Sequence, residues 1–252
     1  MNQKTSICVI IPCFNEALRL PVDAFKSYLS DKKNEQVCLF FVNDGSSDNT
    51  SEVLNAINAE FSTQTKVLDL TKNGGKAEAV RQGMKNALTD ERNFKWFGYF
   101  DADLATPLPA SLDLYEVAVQ KNYELVLGSR VLLMGHNIQR DNFRHYFGRI
   151  FATFASILLK LPIYDTQCGA KLIQRNTVEK VFNEPFISPW LFDVEMIARM
   201  IQVFGRDFVV KNTTEFPLKE WIEMHDSKIK PSHWLKTPFE FLKIRAKYKK
   251  YL

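Results

Sequence analysis

Two aspartates one residue apart, Asp101 and Asp103, follow the apolar segment Trp96–Phe100. A strand delivers alternate side chains to the same face, and two such carboxylates reach one point if the chain turns where the strand stops. Mg²⁺ is usually held by one or two carboxylates together with substrate phosphates. The pair therefore predicts a site for a divalent cation and a diphosphate. The alternative, frequent for an isolated Asp-x-Asp, is a solvated acidic turn.

A further acidic residue and a glycine-rich segment indicate a nucleotide. Asp44 follows an apolar run and precedes Gly45, and its carboxylate could accept hydrogen bonds from a nucleobase imide or a ribose hydroxyl. The alternative is a turn-forming or helix-capping aspartate. The segment Asn73–Lys76 lets the backbone approach a ligand closely beside a cation. It lacks the Walker spacing, and the chain has no Gly-x-Gly-x-x-Gly, which disfavours P-loop and dinucleotide chemistry.

Asp193 opens an apolar run of helical spacing in the second half of the chain. A carboxylate there could act as a general base or orient an acceptor, and the alternative is an N-terminal helix cap. The histidines are few and scattered, and none is paired with a serine or a cysteine. This disfavours a nucleophilic triad.

Strand-like and helix-like segments alternate over the first half of the chain and would position these residues. Apolar runs predict strands at 6–11, 37–42, 66–70, 96–100 and 124–127, and the segments between them predict helices at 18–29, 48–61, 76–88 and 108–121. Continuous apolar runs favour strands that are covered on both faces, as in parallel sheets. The alternation predicts an α/β fold with an open, doubly wound sheet.

The predicted strands all end in polar, charged or glycine-rich segments. These are Pro12–Glu16, Asn43–Ser46, Asn73–Lys76, Asp101–Asp103 and Gly128–Arg130. Loops are polar in general, so a single segment proves little. Ligands of doubly wound sheets bind at the carboxyl ends of the strands, and five such segments in succession favour a binding site for a charged nucleotide there.

Two later segments are amphipathic. In the first, at 143–161, apolar residues recur at helical spacing and Arg144, His145, Arg149 and Lys160 lie opposite. The second, at 239–252, combines the same features with a strongly basic composition. A core or flank helix is one interpretation, and a helix in a membrane interface is the other.

Composition excludes several classes of protein. With 252 residues, 46% of them hydrophobic, the chain can bury a sizeable core. The four cysteines show no zinc-like spacing, no segment is long and apolar enough to span a membrane, and no leader precedes the first strand. We therefore expect a reduced, cytoplasmic protein that lies at most peripherally on the inner face of a membrane. The net charge of +4 is mild, and we expect no nucleic-acid partner.

The polar strand ends, in their order along the chain, resemble the motifs of the inverting glycosyltransferases of family 2. Later segments are similar to the dolichyl-phosphate β-glucosyltransferase branch of that family; they are Asp165–Leu172, Trp190–Glu195, Trp221–Glu223 and Ser227-Lys228. The resemblance implies the GT-A fold, an open and mostly parallel sheet with helices on both faces, followed by C-terminal amphipathic helices. It also implies a single domain over 1–252, with a nucleotide-sugar half at 1–130 and an acceptor half at 131–252.

The resemblance assigns roles by position. It implies that Pro12, Phe14, Glu16 and Asp44 contact the base and ribose of a UDP-sugar, with Lys76 near the nucleotide. Asp101 and Asp103 would hold the diphosphate through Mg²⁺ or Mn²⁺, with Asp103 as the direct ligand. Arg130, Lys171 and Asp193 would lie on the acceptor side. One departure is Asn43, which stands where the family usually has an aspartate.

The acceptor decides which of these groups matters most. A polyprenyl phosphate is already anionic and needs cations to position it; the candidates are Arg130, Lys171 and Arg175. A saccharide hydroxyl needs a base to remove its proton, and Asp193 is the candidate. Either acceptor implies direct displacement at the sugar C1 with inversion. A sugar nucleotidyltransferase would carry a glycine-rich loop in place of Pro12–Glu16, and a non-enzymatic member of the fold would lack the Asp-x-Asp.

Overall fold

The apolar runs of the sequence form a seven-stranded sheet in the computed structural model, which describes residues 7–139, 142–224 and 231–252. The strands are β1 (Ile7–Cys13), β2 (Val37–Asn43), β3 (Thr65–Asp69), β4 (Trp96–Phe100), β5 (Leu125–Ser129), β7 (Ala170–Gln174) and β8 (Thr213–Pro217). Two further strands, β6 (Asn137–Gln139) and β9 (Glu220–Ile222), pair with each other in parallel.

The helices connect these strands. They are α1 (Val22–Ser30), α2 (Thr50–Glu60), α3 (Lys76–Leu88), α4 (Ala110–Lys121), α5 (Asn142–Leu159), α6 (Arg175–Val181), α7 (Phe192–Phe204), α8 (Arg206–Asn212) and α9 (Pro231–Tyr248). None of the helices in the described ranges combines the length and the apolar character that crossing a membrane requires.

The sheet is mostly parallel, as the sequence predicts. Its strand order is β3-β2-β1-β4-β7-β5-β8, and only β7 runs antiparallel to its neighbours β4 and β5. Strand β7 was not among the predicted strands, because a lysine, Lys171, interrupts its short apolar pattern. Between β1 and β4 the strand order reverses, and this switch point is where doubly wound sheets bind their ligands.

Helices cover both faces of the sheet. Along β1, Cys8 and Ile10 belong to a core shared with α3, α5, α6, α7 and α9, whereas Ile7 and Val9 belong to a core shared with α1, α2 and α4. Strand periodicity explains this division, because alternate side chains point to opposite faces. Burial of each large apolar side chain contributes about 1.5–3 kcal/mol, so the two cores fix the sheet whose edge carries the polar segments.

Several predicted boundaries need correction. The first helix begins at Val22 and not at Leu18, because the amides of Arg19 and Leu20 form a turn on the carbonyl of Glu16. The last helix begins at Pro231 and contains Pro238, whereas the prediction began it after that proline. A proline removes one helical hydrogen bond but does not always end a helix. Residues Ser227 and Lys228 lie outside the described residues.

The amphipathic segment at 143–161 forms α5 up to Leu159, with Lys160 and Leu161 after the helix, and its apolar residues do not share one face. Phe151 and Leu161 are buried, whereas Ile150, Phe154 and Ile157 are exposed. Of the predicted stripe, residues 143–147 lie outside the part whose side chains are described. The segment is therefore a core helix on one side and an exposed apolar surface on the other.

Candidate functional site

The predicted site residues come together at the carboxyl edge of the sheet. Pro12 lies near the end of β1, and Phe14 and Glu16 lie in the loop that follows it. Asp44 follows β2 directly, and Asp101 follows β4 directly. Because β1 is paired with both β2 and β4, these loops flank the switch point.

Asp44 holds the glycine-rich segment in place. Its two carboxylate oxygens accept hydrogen bonds from the backbone N–H groups of Gly74 and Gly75, each at 2.8 Å, and Asn73 Nδ2 donates to Oδ2 at 3.0 Å. Burial raises the pKa of Asp44, although the two N–H groups act in the opposite direction. The capping alternative is wrong for this residue, since its partners belong to the loop before α3 and not to α2.

The loops after β1 and β2 are joined by hydrogen bonds. Asn15 adopts a φ of 50°, its N–H donates to Ser46 Oγ at 2.9 Å, and its Oδ1 accepts from the Ser47 N–H at 2.9 Å. The neighbouring Glu16 is buried, and its carboxylate accepts from Arg19 at 2.8 and 2.9 Å. These bonds fix the backbone beside Phe14.

Asn43, the departure from the family pattern, has a structural role of its own. Its Nδ2 donates to Asp69 Oδ1 at 2.7 Å, and its Oδ1 accepts from the Ser46 N–H at 3.1 Å. An ionised aspartate could accept the second bond but could not donate the first. The amide therefore joins the ends of β2 and β3 beside Asp44.

The Asp101–Asp103 pair lies on a tight turn. The N–H of Leu104, at a φ of 53°, donates to the carbonyl of Asp101 at 3.1 Å, and the Ala105 N–H donates to Asp103 Oδ1 at 3.1 Å. Burial, and after it the charge of Asp101, raises the pKa of Asp103. Lys76 Nζ forms an ion pair with Asp101.

These carboxylates suit a divalent cation. The two carboxylates repel each other, and a shared cation would stabilise both. Carboxylate oxygens are ligands that suit Mg²⁺ and Mn²⁺. In the described part of the chain, no group of three or more His, Cys, Asp or Glu side chains converges as a metal site. The pair therefore offers a partial ligand set, which substrate phosphates would have to complete.

Asp193 lies in a buried hydrogen-bonded group behind this turn. The Tyr99 hydroxyl donates to Asp193 Oδ1, and Lys171 Nζ lies 2.7 Å from the same oxygen. Lys171 is fully buried and also donates to the Cys168 carbonyl at 2.6 Å. Asp193 therefore does not cap α7 but connects it to β4 and β7. Sequence reasoning missed Tyr99, although strand alternation places it on the same face as Asp101.

Arg130 lies at the end of β5 and pairs with Asp165. Its Nε and Nη2 donate to the two Asp165 oxygens at 2.7 and 2.8 Å, and the guanidinium lies 5.4 Å from the Trp221 ring centroid. Burial opposes the charge of Arg130, but Asp165 raises the pKa of the guanidinium above its usual range.

Arg175 does not belong to this site. It follows the end of the antiparallel β7, next to the start of β4, and donates to the carbonyls of Leu88 and Phe94. The suggestion that Arg175 binds an acceptor phosphate is therefore wrong, because the direction of β7 carries it to the opposite edge of the sheet.

Comparison with known proteins identifies relatives along most of the chain. The family model described as glycosyl transferase family 2 matches residues 8–182. The dolichyl-phosphate beta-glucosyltransferase of Mus musculus is 32% identical over 96% of this chain and 75% of its own length. The Homo sapiens protein of the same name is 30% identical with the same coverage.

Solved structures share the fold at low sequence identity. The glucosyl-3-phosphoglycerate synthase of Mycobacterium tuberculosis in complex with Mn²⁺ and UDP-glucose has a TM-score of 0.66 at 15% identity, covering 97% of this chain and 79% of that one. The same enzyme with Mn²⁺, UDP and phosphoglyceric acid has a TM-score of 0.68.

Proposed function

Because the chain belongs to glycosyl transferase family 2, and is similar to dolichyl-phosphate beta-glucosyltransferases over nearly its whole length, we propose that it transfers glucose from UDP-glucose to a polyprenyl phosphate such as dolichyl phosphate. The observation that carries this proposal is the arrangement at the switch point of the sheet. There the Asp101–Asp103 turn, with Lys76 beside it, lies near the loop that Asp44 holds. One edge thus offers groups for both ends of a nucleotide diphosphate.

In this proposal the donor lies across the switch point. Pro12, Phe14, Glu16 and Asp44 contact the base and ribose, which the loops after β1 and β2 flank. Lys76 and the Asp101–Asp103 turn face the diphosphate. Asp103 and Asp101 would hold Mg²⁺ or Mn²⁺, and the ion would supply positive charge to neutralise the departing diphosphate.

The state of Asp193 favours a phosphate acceptor over a saccharide hydroxyl. Its Oδ1 already accepts from Tyr99 and pairs with Lys171, so this oxygen is engaged within the protein. A phosphate monoester, with a second pKa of about 6, reaches the site ionised and needs no base. Arg130 would provide positive charge on the acceptor side, and Lys171, which is fully buried and paired with Asp193, would act only through that carboxylate. An acceptor phosphate oxygen then bonds to C1 as the bond from C1 to UDP breaks, with inversion.

The exposed apolar surface of α5 and α9 would bring the protein to the lipid. Ile150, Phe154 and Ile157 on α5 and Phe239 and Leu242 on α9 are exposed, and Phe241 joins the helices by packing against Phe151 at 5.2 Å. Exposed basic residues lie on α9 as well; they include Lys243, Arg245 and Lys247. Exposed apolar groups beside cations suit the interface of an anionic membrane, and we place the protein peripherally on its cytoplasmic face.

A transfer assay tests the proposal directly. Purified protein, Mn²⁺ and radiolabelled UDP-glucose would be incubated with a short polyprenyl phosphate or with candidate oligosaccharides, and the products identified by mass spectrometry. We expect a glucosyl polyprenyl phosphate. Product on the oligosaccharides alone would show that the acceptor is a saccharide hydroxyl, and a preference for another nucleotide sugar would correct the donor.

Substitution of Asp103 tests the metal site. We expect Asp103→Ala to lower the transfer rate by about 100-fold or more, because the charge of the departing diphosphate would lose its stabilisation. Asp113→Ala removes a partly exposed carboxylate that pairs with Lys219 at 2.6 Å, and should leave the rate unchanged. Normal turnover of the Asp103 variant across Mg²⁺ and Mn²⁺ titrations would contradict the assignment.

A further inference from the structure

Lys76 has a fixed backbone and a movable side chain. It is the first residue of α3, and the preceding Gly75, at a φ of 83°, is held by its hydrogen bond to Asp44. The side chain is 38% exposed and ends at Asp101. A lysine ammonium on four methylene groups can swing over several ångströms while its Cα stays in place.

Several negative charges converge on this ammonium. Asp101 is its ion-pair partner, and the charges of Asp193 and Asp103 also act on it. Lys76 is thus the counter-ion of the acidic turn, at the place where the proposed function puts a divalent cation.

The carboxylate of Asp101 has little room to serve two cations. On one side its Oδ2 lies against Gly169, where an ideal Cβ atom would fall only 2.0 Å away. On the other side its Oδ1 carries Lys76. A divalent cation on Asp101 would meet the ammonium at short range, and the repulsion between them would be large in a partly buried site.

We propose that Lys76 is a mobile counter-ion. Its ammonium neutralises Asp101 while no divalent cation is bound. When a divalent cation occupies that carboxylate, the Lys76 side chain turns to the diphosphate of the nucleotide. This inference rests on the proposed function. The exchange couples metal binding to UDP binding. A metal ion that binds alone must displace Lys76 from Asp101, whereas a metal ion that binds together with UDP leaves the ammonium a new anionic partner, the diphosphate. Metal and UDP therefore strengthen each other's binding.

Binding measurements on the whole protein test the coupling. Isothermal titration calorimetry would measure the affinity for Mn²⁺ alone and the affinity for UDP at saturating Mn²⁺. For Lys76→Met we expect Mn²⁺ alone to bind about tenfold more tightly and UDP about tenfold more weakly, within the usual range of coupling between sites. Lys76→Gln, which keeps a polar end, should behave in the same way, and thermal unfolding would show that both variants fold.

Lys66→Met is the matched control. Lys66 also pairs with an aspartate, Asp90, and has a similarly exposed side chain, but it lies on β3 away from the acidic turn. This variant should bind Mn²⁺ and UDP like the wild type.

The outcomes separate the inference from the function on which it rests. Unchanged Mn²⁺ affinity in both Lys76 variants, with normal binding by the wild type, would overturn the inference alone. Tighter binding of both Mn²⁺ and UDP would also overturn it, since Lys76 would then be a fixed repulsive charge. A wild-type protein that binds neither Mn²⁺ nor UDP would overturn the proposed nucleotide site as well.

Discussion

Among single residues, Gly169 determines where the Asp101 carboxylate can lie, because a side chain at position 169 would occupy the same space. A Cβ atom at position 169 would overlap the Asp101 carboxylate, which would have to move out of the turn. We expect Gly169→Ala to weaken Mn²⁺ binding in the presence of UDP by about tenfold or more, a loss of about 1.4 kcal/mol per factor of ten. The fold should survive, because the overlapping atoms are the end of a side chain. Calorimetry and thermal unfolding would measure the two effects.

The neighbouring Cys168 provides the control for this variant. Cys168→Ala shortens a buried side chain without adding an atom near Asp101. It should therefore retain metal affinity. Equal affinity in the wild type and Gly169→Ala would show that the position of Asp101 is not what holds the metal.

Single residues also show the limit of sequence reasoning. The motif containing Asp101 and Asp103 could be found because strand alternation and the following turn are local. The two motifs that contain Lys171 and Asp193 could be found in the sequence, but the contact between these residues could not, since they lie on β7 and α7. Nothing in the local pattern shows that a fully buried lysine has its partner on another element.

At the scale of elements, the connection between α3 and β4 is held by a buried carboxylate. Arg92 Nε donates to Asp90 Oδ1 at 2.7 Å, and Lys66 Nζ lies 3.1 Å from Oδ2. Hydrogen bonds from Arg92 lower the pKa of Asp90 below its ordinary value. The ionised side chain therefore stabilises the start of β4, the strand that ends at Asp101.

The lowered pKa gives a pH-dependent prediction. Asp90→Asn should reduce the free energy of unfolding by about 1.5–3 kcal/mol at neutral pH, as expected for loss of charged hydrogen bonds. Because the folded pKa lies below the unfolded value of about 4, the stabilisation is complete above that pH and is lost as the pH falls toward the folded pKa. Denaturant unfolding at several pH values would measure it.

An exposed aspartate on α1 serves as the comparison. Asp23→Asn should change stability little at any of these pH values. If the difference between the wild type and Asp90→Asn grew as the pH fell below about 4, the sign of the argument would be wrong.

Strand β7 is an element whose position and direction could not be predicted from the sequence. Strands β1 to β5 were predictable from their apolar runs, which are typical of strands covered on both faces. The parallel edge strand β8 was not, because most of its residues are polar. β7 enters the sheet between β4 and β5 in the opposite direction, after a long excursion through α5. Its position depends on pairing with strands distant along the chain, and its direction removes Arg175 from the site.

For the whole molecule, the apolar surface of α5 and α9 predicts attachment to lipid vesicles. We expect the double variant Phe154→Ser, Ile157→Ser to bind vesicles containing anionic lipid about 100-fold more weakly or worse, because two large apolar groups of about 1.5–3 kcal/mol each are lost from the contact. Added salt should also weaken binding by screening the cations of α9. Co-sedimentation would measure both effects.

An exposed apolar residue on the other face of the sheet is the matched control. Val119 on α4 is 52% exposed, close to the 58% of Phe154. Val119→Ser should retain vesicle binding. Equal loss in this variant, or none in the double variant, would contradict attachment through α5 and α9.

The sequence by itself determined the class of fold and the set of polar strand ends. Apolar runs, helical periodicity and turn residues act over a few neighbouring positions, so these features are encoded locally. The order of the motifs then indicated the family, which the comparisons establish.

Only the tertiary structure decided which side chains meet. It placed Lys76 on Asp101, Asp101 against Gly169, and Tyr99 with Lys171 on Asp193. These contacts join elements far apart in the chain, and they depend on strand order and direction, which local preferences do not specify. The acidic turn was visible in the sequence, but its counter-ion and its packing were consequences of the sheet.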